Sequence, residues 1–363
     1  MTKNNRIDGI DVLKALAMFW VITLHADLWL YDIVAQDYST KSLFYYAFRL
    51  AAEGVPVFIT INGFLLFRKS TFDLKKHLLK TGKLILLLFI WAFILASYQA
   101  FINNNFSIPF VLLKVLDTHI NSEYTGVLWY IQGLASAWLL FPIFKYVHDN
   151  NKKIYRYIFY VVAFFTLGLR FINFVVKIIA LFVPADYPGL IVPLLNRMDP
   201  LDRDQNDNYV FFMLLGGMIA DNEERIKEKR SLLVPLGIAA WIASFFIAKW
   251  LTKRYGYLHE PSFNYCSIFT LFMMLGYFAF ALGLPSRDSL PARFIKSLGK
   301  NSLGVYFLHI IVLITFRFII NKTPWQPEGF WYRLLTVVSV YIISWGITLL
   351  LSNIPVIKKL VTL

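Results

Sequence analysis

Apolar residues fall in long runs separated by shorter polar stretches. A run of about 20 residues can cross a hydrocarbon core of roughly 30 Å as a helix. Runs near 9–31, 43–67, 82–102, 126–144, 154–182, 208–220, 232–250, 264–284, 300–320 and 331–352 therefore predict an all-α bundle of about ten transmembrane helices. The fifth run is over-long and interrupted by Arg170, Asn173 and Lys177, and the sixth is short. The first is too long for a signal-peptide core and has no small-residue cleavage site after it, so it is expected to be a permanent span.

The polar segments carry a second pattern. Lys3 and Arg6, then Arg68, Lys69, Lys75, Lys76, Lys80 and Lys83, mark two cation-rich segments. Lys145, Lys152, Lys153 and Arg156, the group Arg225, Lys227, Lys229 and Arg230, the group Arg287, Arg293, Lys296 and Lys300, and finally Lys358 and Lys359 continue the series. The intervening segments hold fewer: Lys41, Lys114, Arg197, Arg203, Lys249, Lys253, Arg254 and Lys322. Such alternation fits an even number of spans with both termini in the cytoplasm. It also accounts for most of the net charge of +14, so no nucleic-acid partner is needed to explain it.

Composition agrees: 58% of the 363 residues are hydrophobic and 16% charged, against about half and a quarter in soluble domains. The one cysteine, Cys266, excludes an internal disulfide framework or a multi-cysteine metal site and reads as a small buried hydrophobe. No internal repeat is evident. Two outer loops, 103–125 and 183–207, are long enough to serve as a lid or acceptor surface, and the second holds five aspartates that suit binding or plain solvation equally.

The stretch IDVLKALAMFWVITLH, residues 10–25, carries Lys14 and His25. Eleven residues are about three helical turns, so the two lie on nearly one face, roughly 16 Å apart along the axis. Lys14 can snorkel to an interface; His25 sits deeper, where ionisable groups are costly and mark function. A cation below and a base above suit an elongated ligand of the shape of acyl-coenzyme A, phosphates at one end and thioester at the other. Arg68 and Lys69 are placed to add phosphate contacts, or are simply positive-inside charge.

These residues resemble membrane-bound acyltransferase family 3, whose first helix reads I-D-x-L-R/K, ten residues, then His. VPVFITINGFLLFR (55–68) resembles its V-P-x-F-F-x-x-S-G-F-L signature leading into an arginine. LWYIQGLASAWLLFPI (128–143) is similar to its L-W-F/Y-L segment, and NSLGVYFLHIIVL (301–313) to S-L-G-I-Y-L-I-H. The matches fall in order over nearly the whole chain, which reads as one polytopic domain, 1–363. The layout is nearest to the enterobacterial common antigen O-acetyltransferase type, without a fused soluble domain. Asn62 stands where the signature has serine, Thr71 where many members have a second arginine, and Lys14 keeps the charge of arginine without its bidentate fork.

The resemblance implies an O-acyltransferase of the bacterial cytoplasmic membrane. Its donor would be cytoplasmic acetyl-CoA or another short acyl-CoA, with no metal. Its acceptor would be a sugar hydroxyl of an envelope glycan or lipid-linked saccharide. His25 is then the general base, or is itself acylated; burial in a low-dielectric site favours the neutral imidazole either way. Lys14, Arg68 and Lys69 would hold the donor. Asn62, Trp129 and Tyr130 are oxyanion candidates by type, with helix packing and an aromatic belt as the alternatives. Trp129, Tyr130, His309 and Arg170 are also placed for the acceptor. Glu53 either neutralises Arg49 within one helix or orients the His25 ring. Arg170, Lys177 and Arg317, within or near apolar runs, can bind an anionic acceptor; His119 and Glu123 lie in an outer loop, and His77, His148 and His259 read as ordinary loop histidines. The rival reading is a polytopic transporter or flippase for a lipid-linked or small anionic substrate, against which stands the missing repeat.

Overall fold

The computed structural model describes residues 7–26, 47, 51–117, 125–180, 208–256, 265–324 and 329–363. In chain order the helices are α1 (Asp8–His25), α2 (Gly54–Phe67), α3 (Leu74–Ile102), α4 (Ile108–Leu116), α5 (Trp129–Asn150), α6 (Lys152–Ala163) and α7 (Leu169–Ala180). Then come α8 (Asn208–Asp221), α9 (Glu223–Glu228), α10 (Arg230–Tyr255), α11 (Ile268–Leu282), α12 (Leu290–Lys300), α13 (Ser302–Asn321), α14 (Phe330–Ser352) and α15 (Lys358–Val361). A 3₁₀ turn, Gly126–Leu128, leads into α5, and a π turn, Phe164–Gly168, joins α6 to α7. No strand occurs among the described residues.

The helix starts follow local chemistry. Side chains of Asp73, Ser107, Asn151, Ser267 and Ser289 accept from backbone N–H groups of the first turns of α3, α4, α6, α11 and α12, groups that have no partner inside the helix. Proline sits in the first two positions of α4 and α12, where its missing N–H costs nothing. Gly256, in the left-handed region at φ 74°, closes α10.

Among the described residues, six helical stretches are long and apolar enough to cross a membrane: Leu74–Ile102, Gly126–Asn150, Lys152–Val176, Arg230–Arg254, Ser302–Asn321 and Phe330–Ser352. Gly54–Phe67, Tyr209–Asp221 and Ile268–Leu282 are apolar but shorter, and α1 carries Asp8, Asp11 and Lys14 in its first two turns. Helix α3 shows what such a surface looks like. Leu84, Leu87, Leu88, Trp91 and Leu95 are buried, while Leu79, Leu86, Phe89 and Phe93 stand exposed on the other side. A helix apolar all round, with its outer face unburied by protein, is suited to lipid. The chain is a multi-pass membrane protein.

The sequence pattern erred in two places. Lys75, Lys76 and Lys80 are not in a loop: the Asp73 cap starts α3 before them, ahead of the run predicted from 82, so they ride on its first turns. The stretch 103–125 is also not wholly loop, because Ser107 and Pro109 nucleate α4 inside it. The second long stretch, 183–207, lies outside the described residues.

The chain forms two compact units interleaved along the sequence. One comprises 1–13, 29–69 and 144–287; the other 14–28, 70–143 and 288–363. In the first unit, α2 packs on α8 at backbone distance. A β-carbon on Gly63 would overlap the Met213 carbonyl, and one on Gly216 the backbone of Thr60 and Phe64. Gly237 and Gly276 play the same part between α10 and α11. Small residues allow such approach, and in lipid close packing replaces the hydrophobic drive between helices. Hydroxyls complete the packing: Tyr155 donates to the Leu214 carbonyl at 2.8 Å and Tyr277 to Ala51 at 2.9 Å.

In the second unit α13 is central. Phe307 stacks on Trp91 with ring centroids 5.0 Å apart and planes 2° from parallel, and the Trp91 indole donates to the Leu360 carbonyl at 2.9 Å. Gly304 lies against the Thr348 side chain of α14. Tyr341 of α14 donates to the Ala15 carbonyl of α1 at 2.9 Å.

Two glycines separate packing from propensity. Gly63→Ala should cost about 2 kcal/mol through overpacking, whereas Gly82→Ala, with nothing within 4 Å of the added methyl, should gain up to about 1 kcal/mol. Thermal unfolding midpoints in detergent read both; equal midpoints would show that the α2–α8 packing is not tight.

Candidate active site

The segment IDVLKALAMFWVITLH lies in one continuous helix, α1, so Lys14 and His25 do occupy the same rod, His25 as its last residue. Both are part-buried. The chemistry that the second unit assembles around His25 comes from α13. The rings of His25 and His309 lie 5.3 Å apart, centroid to centroid, with planes at 48°. His309 is wholly buried. Its Nδ1 stands 2.5 Å from the Tyr306 carbonyl of the preceding turn. A carbonyl only accepts, so Nδ1 carries the proton and donates; in the neutral ring Nε2 then holds a lone pair. That Nε2 is buried and has no hydrogen-bond partner among the described residues.

The frame around the pair is tied at several points. Tyr306 donates its hydroxyl to the Val127 carbonyl at 2.5 Å, in the 3₁₀ turn just before α5. Its ring lies 5.7 Å from that of His309 and 5.3 Å from that of Tyr130, which is buried. Trp129, next to it, is part-buried. Two turns beyond His309, Arg317 donates from Nη2 to the His25 carbonyl at 2.9 Å. A cation on the last carbonyl of a helix satisfies an orphan acceptor and suits the negative end of the dipole. Arg317, offered by the sequence as a contact for an anionic acceptor, donates here to the end of α1.

The remaining candidates lie in the first unit. Arg68 caps α2 and pairs through Nε with Glu223 at 2.9 Å. Glu223 is in turn bridged by Lys227 at 2.8 Å. Partial burial works against the charge on Lys227, but hydrogen bonds and attraction from Glu223 and Glu224 outweigh it and raise its pKa. Lys69 is exposed. Asn62 donates to the Phe58 carbonyl one turn back in α2 at 2.9 Å. Glu53 is buried at the N-cap of α2 and accepts from the Thr270 hydroxyl at 3.1 Å. Arg170 is part-buried, one residue into α7 after the π turn. Arg49, His119, Glu123 and His259 lie outside the described residues, as does the side chain of Lys177.

Sequence reasoning missed a polar cluster at the ends of α2, α5, α6 and α8. Lys145 is 2% exposed. Its ammonium donates to the carbonyls of Phe67 and Lys69 at 3.1 and 2.8 Å and to Asp149 at 2.8 Å, using all three of its protons. His148 is buried beside it, with Nδ1 2.8 Å from Asp149 and Nε2 3.1 Å from Asp221. Lys152 joins at 2.5 Å from Asp221. Neither His148 nor His77 is a loop histidine: both are buried on helices, and His77 bonds the Trp138 carbonyl at 2.7 Å. The signal that was available is the spacing of Lys145, His148 and Asp149, which share one face of α5.

Fold and site together describe an integral membrane protein of helices in which, within one unit, a part-buried histidine meets a buried one. A family model described as an acyltransferase domain, that of acyltransferase family 3, matches residues 7–349, and the chain belongs to this family. The chain is also similar to an amino-acid racemase of Enterococcus faecalis, with 25% identity over 244 residues, 64% of this chain and 31% of that protein. This chain thus spans about a third of the relative's length, and racemisation is said of that protein alone. No solved structure matches the chain.

The Lys145 node gives a stability test. Lys145→Met strands two carbonyls and a carboxylate, and breaking such a buried arrangement costs about 3 kcal/mol. The variant should melt well below wild type in detergent. An unchanged midpoint would mean that the ammonium bonds contribute nothing net.

Proposed function

We propose that the protein is an O-acyltransferase of the bacterial cytoplasmic membrane, a single polytopic domain with both termini in the cytoplasm. It would move an acyl group, acetyl first among the candidates, from cytoplasmic acyl-CoA to a sugar hydroxyl of an envelope glycan or lipid-linked saccharide. The observation that carries this reading is the coincidence, on α1, of a cation and a histidine eleven residues apart, with that histidine meeting a second, buried imidazole.

Lys14 attracts the donor's phosphates, and the pantetheine arm has the length to carry the thioester toward His25. Neutral His25 takes the proton of the acceptor hydroxyl as the oxygen attacks the thioester carbonyl. The tetrahedral intermediate collapses with cleavage of the C–S bond. The thiolate leaves and takes up the proton held by His25, so that alcohol and acyl-CoA give ester and CoA.

Calorimetry of acetyl-CoA and CoA with detergent-solubilised protein tests the donor half without knowledge of the acceptor. Lys14→Ala should weaken binding about tenfold, the worth of one charge-assisted contact. His25→Ala should bind within about twofold of wild type while losing acetyl transfer in native membranes by at least about a hundredfold. Absence of binding by folded wild-type protein would remove acetyl-CoA as donor, and equal binding by Lys14→Ala would remove the phosphate role.

A further inference from the structure

We propose that His309 is the positioning residue for His25. It would accept a hydrogen bond from the His25 ring at Nε2 and so aim the other nitrogen of His25 at the acceptor hydroxyl. The inference rests on the reading of His25 as general base.

Three observations carry it. First, the tautomer of His309 is fixed: its Nδ1 proton is given to the Tyr306 carbonyl, so only Nε2 can accept. Second, that lone pair is buried and without a partner among the described residues. A buried polar atom left unpaired is costly and calls for an explanation, a catalytic role among them. Third, the ring beside it belongs to His25, and a centroid separation of 5.3 Å matches two ring radii and one N–H···N bond of about 3 Å. Rotation of the part-buried His25 ring closes the bond without moving either helix.

The surroundings suit a fixed acceptor. The residues just before His309 are anchored, Tyr306 through its hydroxyl on Val127 and Phe307 through its stack on Trp91. The Arg317 bond to the His25 carbonyl ties the ends of the two elements that carry the rings. In proton transfer, His25 with N–H toward His309 offers its lone pair to the hydroxyl. Once protonated it donates to Nε2 more strongly, which stabilises the imidazolium until the thiolate takes the proton back. His309 keeps its own proton throughout. This is the job a carboxylate does in Ser-His-Asp sites, done here by a neutral group. A carboxylate at this depth would add a buried charge in the resting state, which is costly inside a bilayer.

The test uses acetyl transfer from labelled acetyl-CoA in native membranes together with ¹⁵N-imidazole spectra of the purified full chain. His309→Leu should lower kcat about a hundredfold or more while the KM for acetyl-CoA stays within about twofold. His309→Gln, whose side-chain oxygen reaches the place of Nε2, should recover at least about a tenth of the wild-type rate. In a His25→Ala background His309→Leu should cost nothing further, because the residue acts through His25. The spectra should show His309 as the Nδ1–H tautomer, with its Nε2 resonance shifted by His25→Ala. His309→Gln as slow as His309→Leu, an Nε2–H tautomer, or an Nε2 resonance indifferent to His25 would each overturn the proposal. The spectra need no turnover, so a wild-type chain that transfers no acetyl group defeats the proposed donor while the tautomer and the shift still decide this point.

Discussion

A bilayer supplies no water to an unpaired polar group, so each one must find its partner within the protein. The architecture follows from that constraint. Backbone groups are satisfied by helices, and helix-borne hydroxyls are turned onto carbonyls: Tyr155 onto Leu214, Tyr277 onto Ala51, Tyr341 onto Ala15. Lys145 spends all its protons on two carbonyls and a carboxylate. With so much effort given to satisfaction, an exception carries information. The Nε2 lone pair of His309 is such an exception, and it lies beside the histidine of α1.

The apolar runs made the helical class and the membrane setting legible, because hydropathy is a property of neighbours in sequence. Each predicted run contains a described helix, but by length and composition six stretches among the described residues can span a membrane. The rest are short or, like α1, charged at one end. Where capping chemistry competed with hydropathy, capping won: Asp73 carried α3 back over three lysines, and Ser107 with Pro109 placed α4 inside an expected loop.

The site was half legible. Lys14 and His25 share a helix, so their relation could be read from spacing alone. The partner of His25 could not, since His309 lies near the other end of the chain and only folding shows which of its nitrogens is occupied. The same holds for the hydroxyl that reaches Glu53, which comes from Thr270, 217 residues away. His148 looked ordinary because its two carboxylates, Asp149 and Asp221, are adjacent in one case and remote in the other.

The π turn between α6 and α7 has a consequence for how this sequence can change. A turn closed by i→i+5 bonds holds one residue more than the α-helical turn it replaces, so Phe164–Gly168 acts as a counted insertion. Loss of one residue there would let the two helices fuse into an unbroken rod while the side chains beyond it kept nearly their present directions, because the wider turn already absorbs the extra residue. Arg170, one residue into α7, would keep its heading, whereas the same loss within α6 would turn it by roughly 100° about the axis. The π turn is thus the place in this rod where the chain's length can change by one without changing what a cation faces.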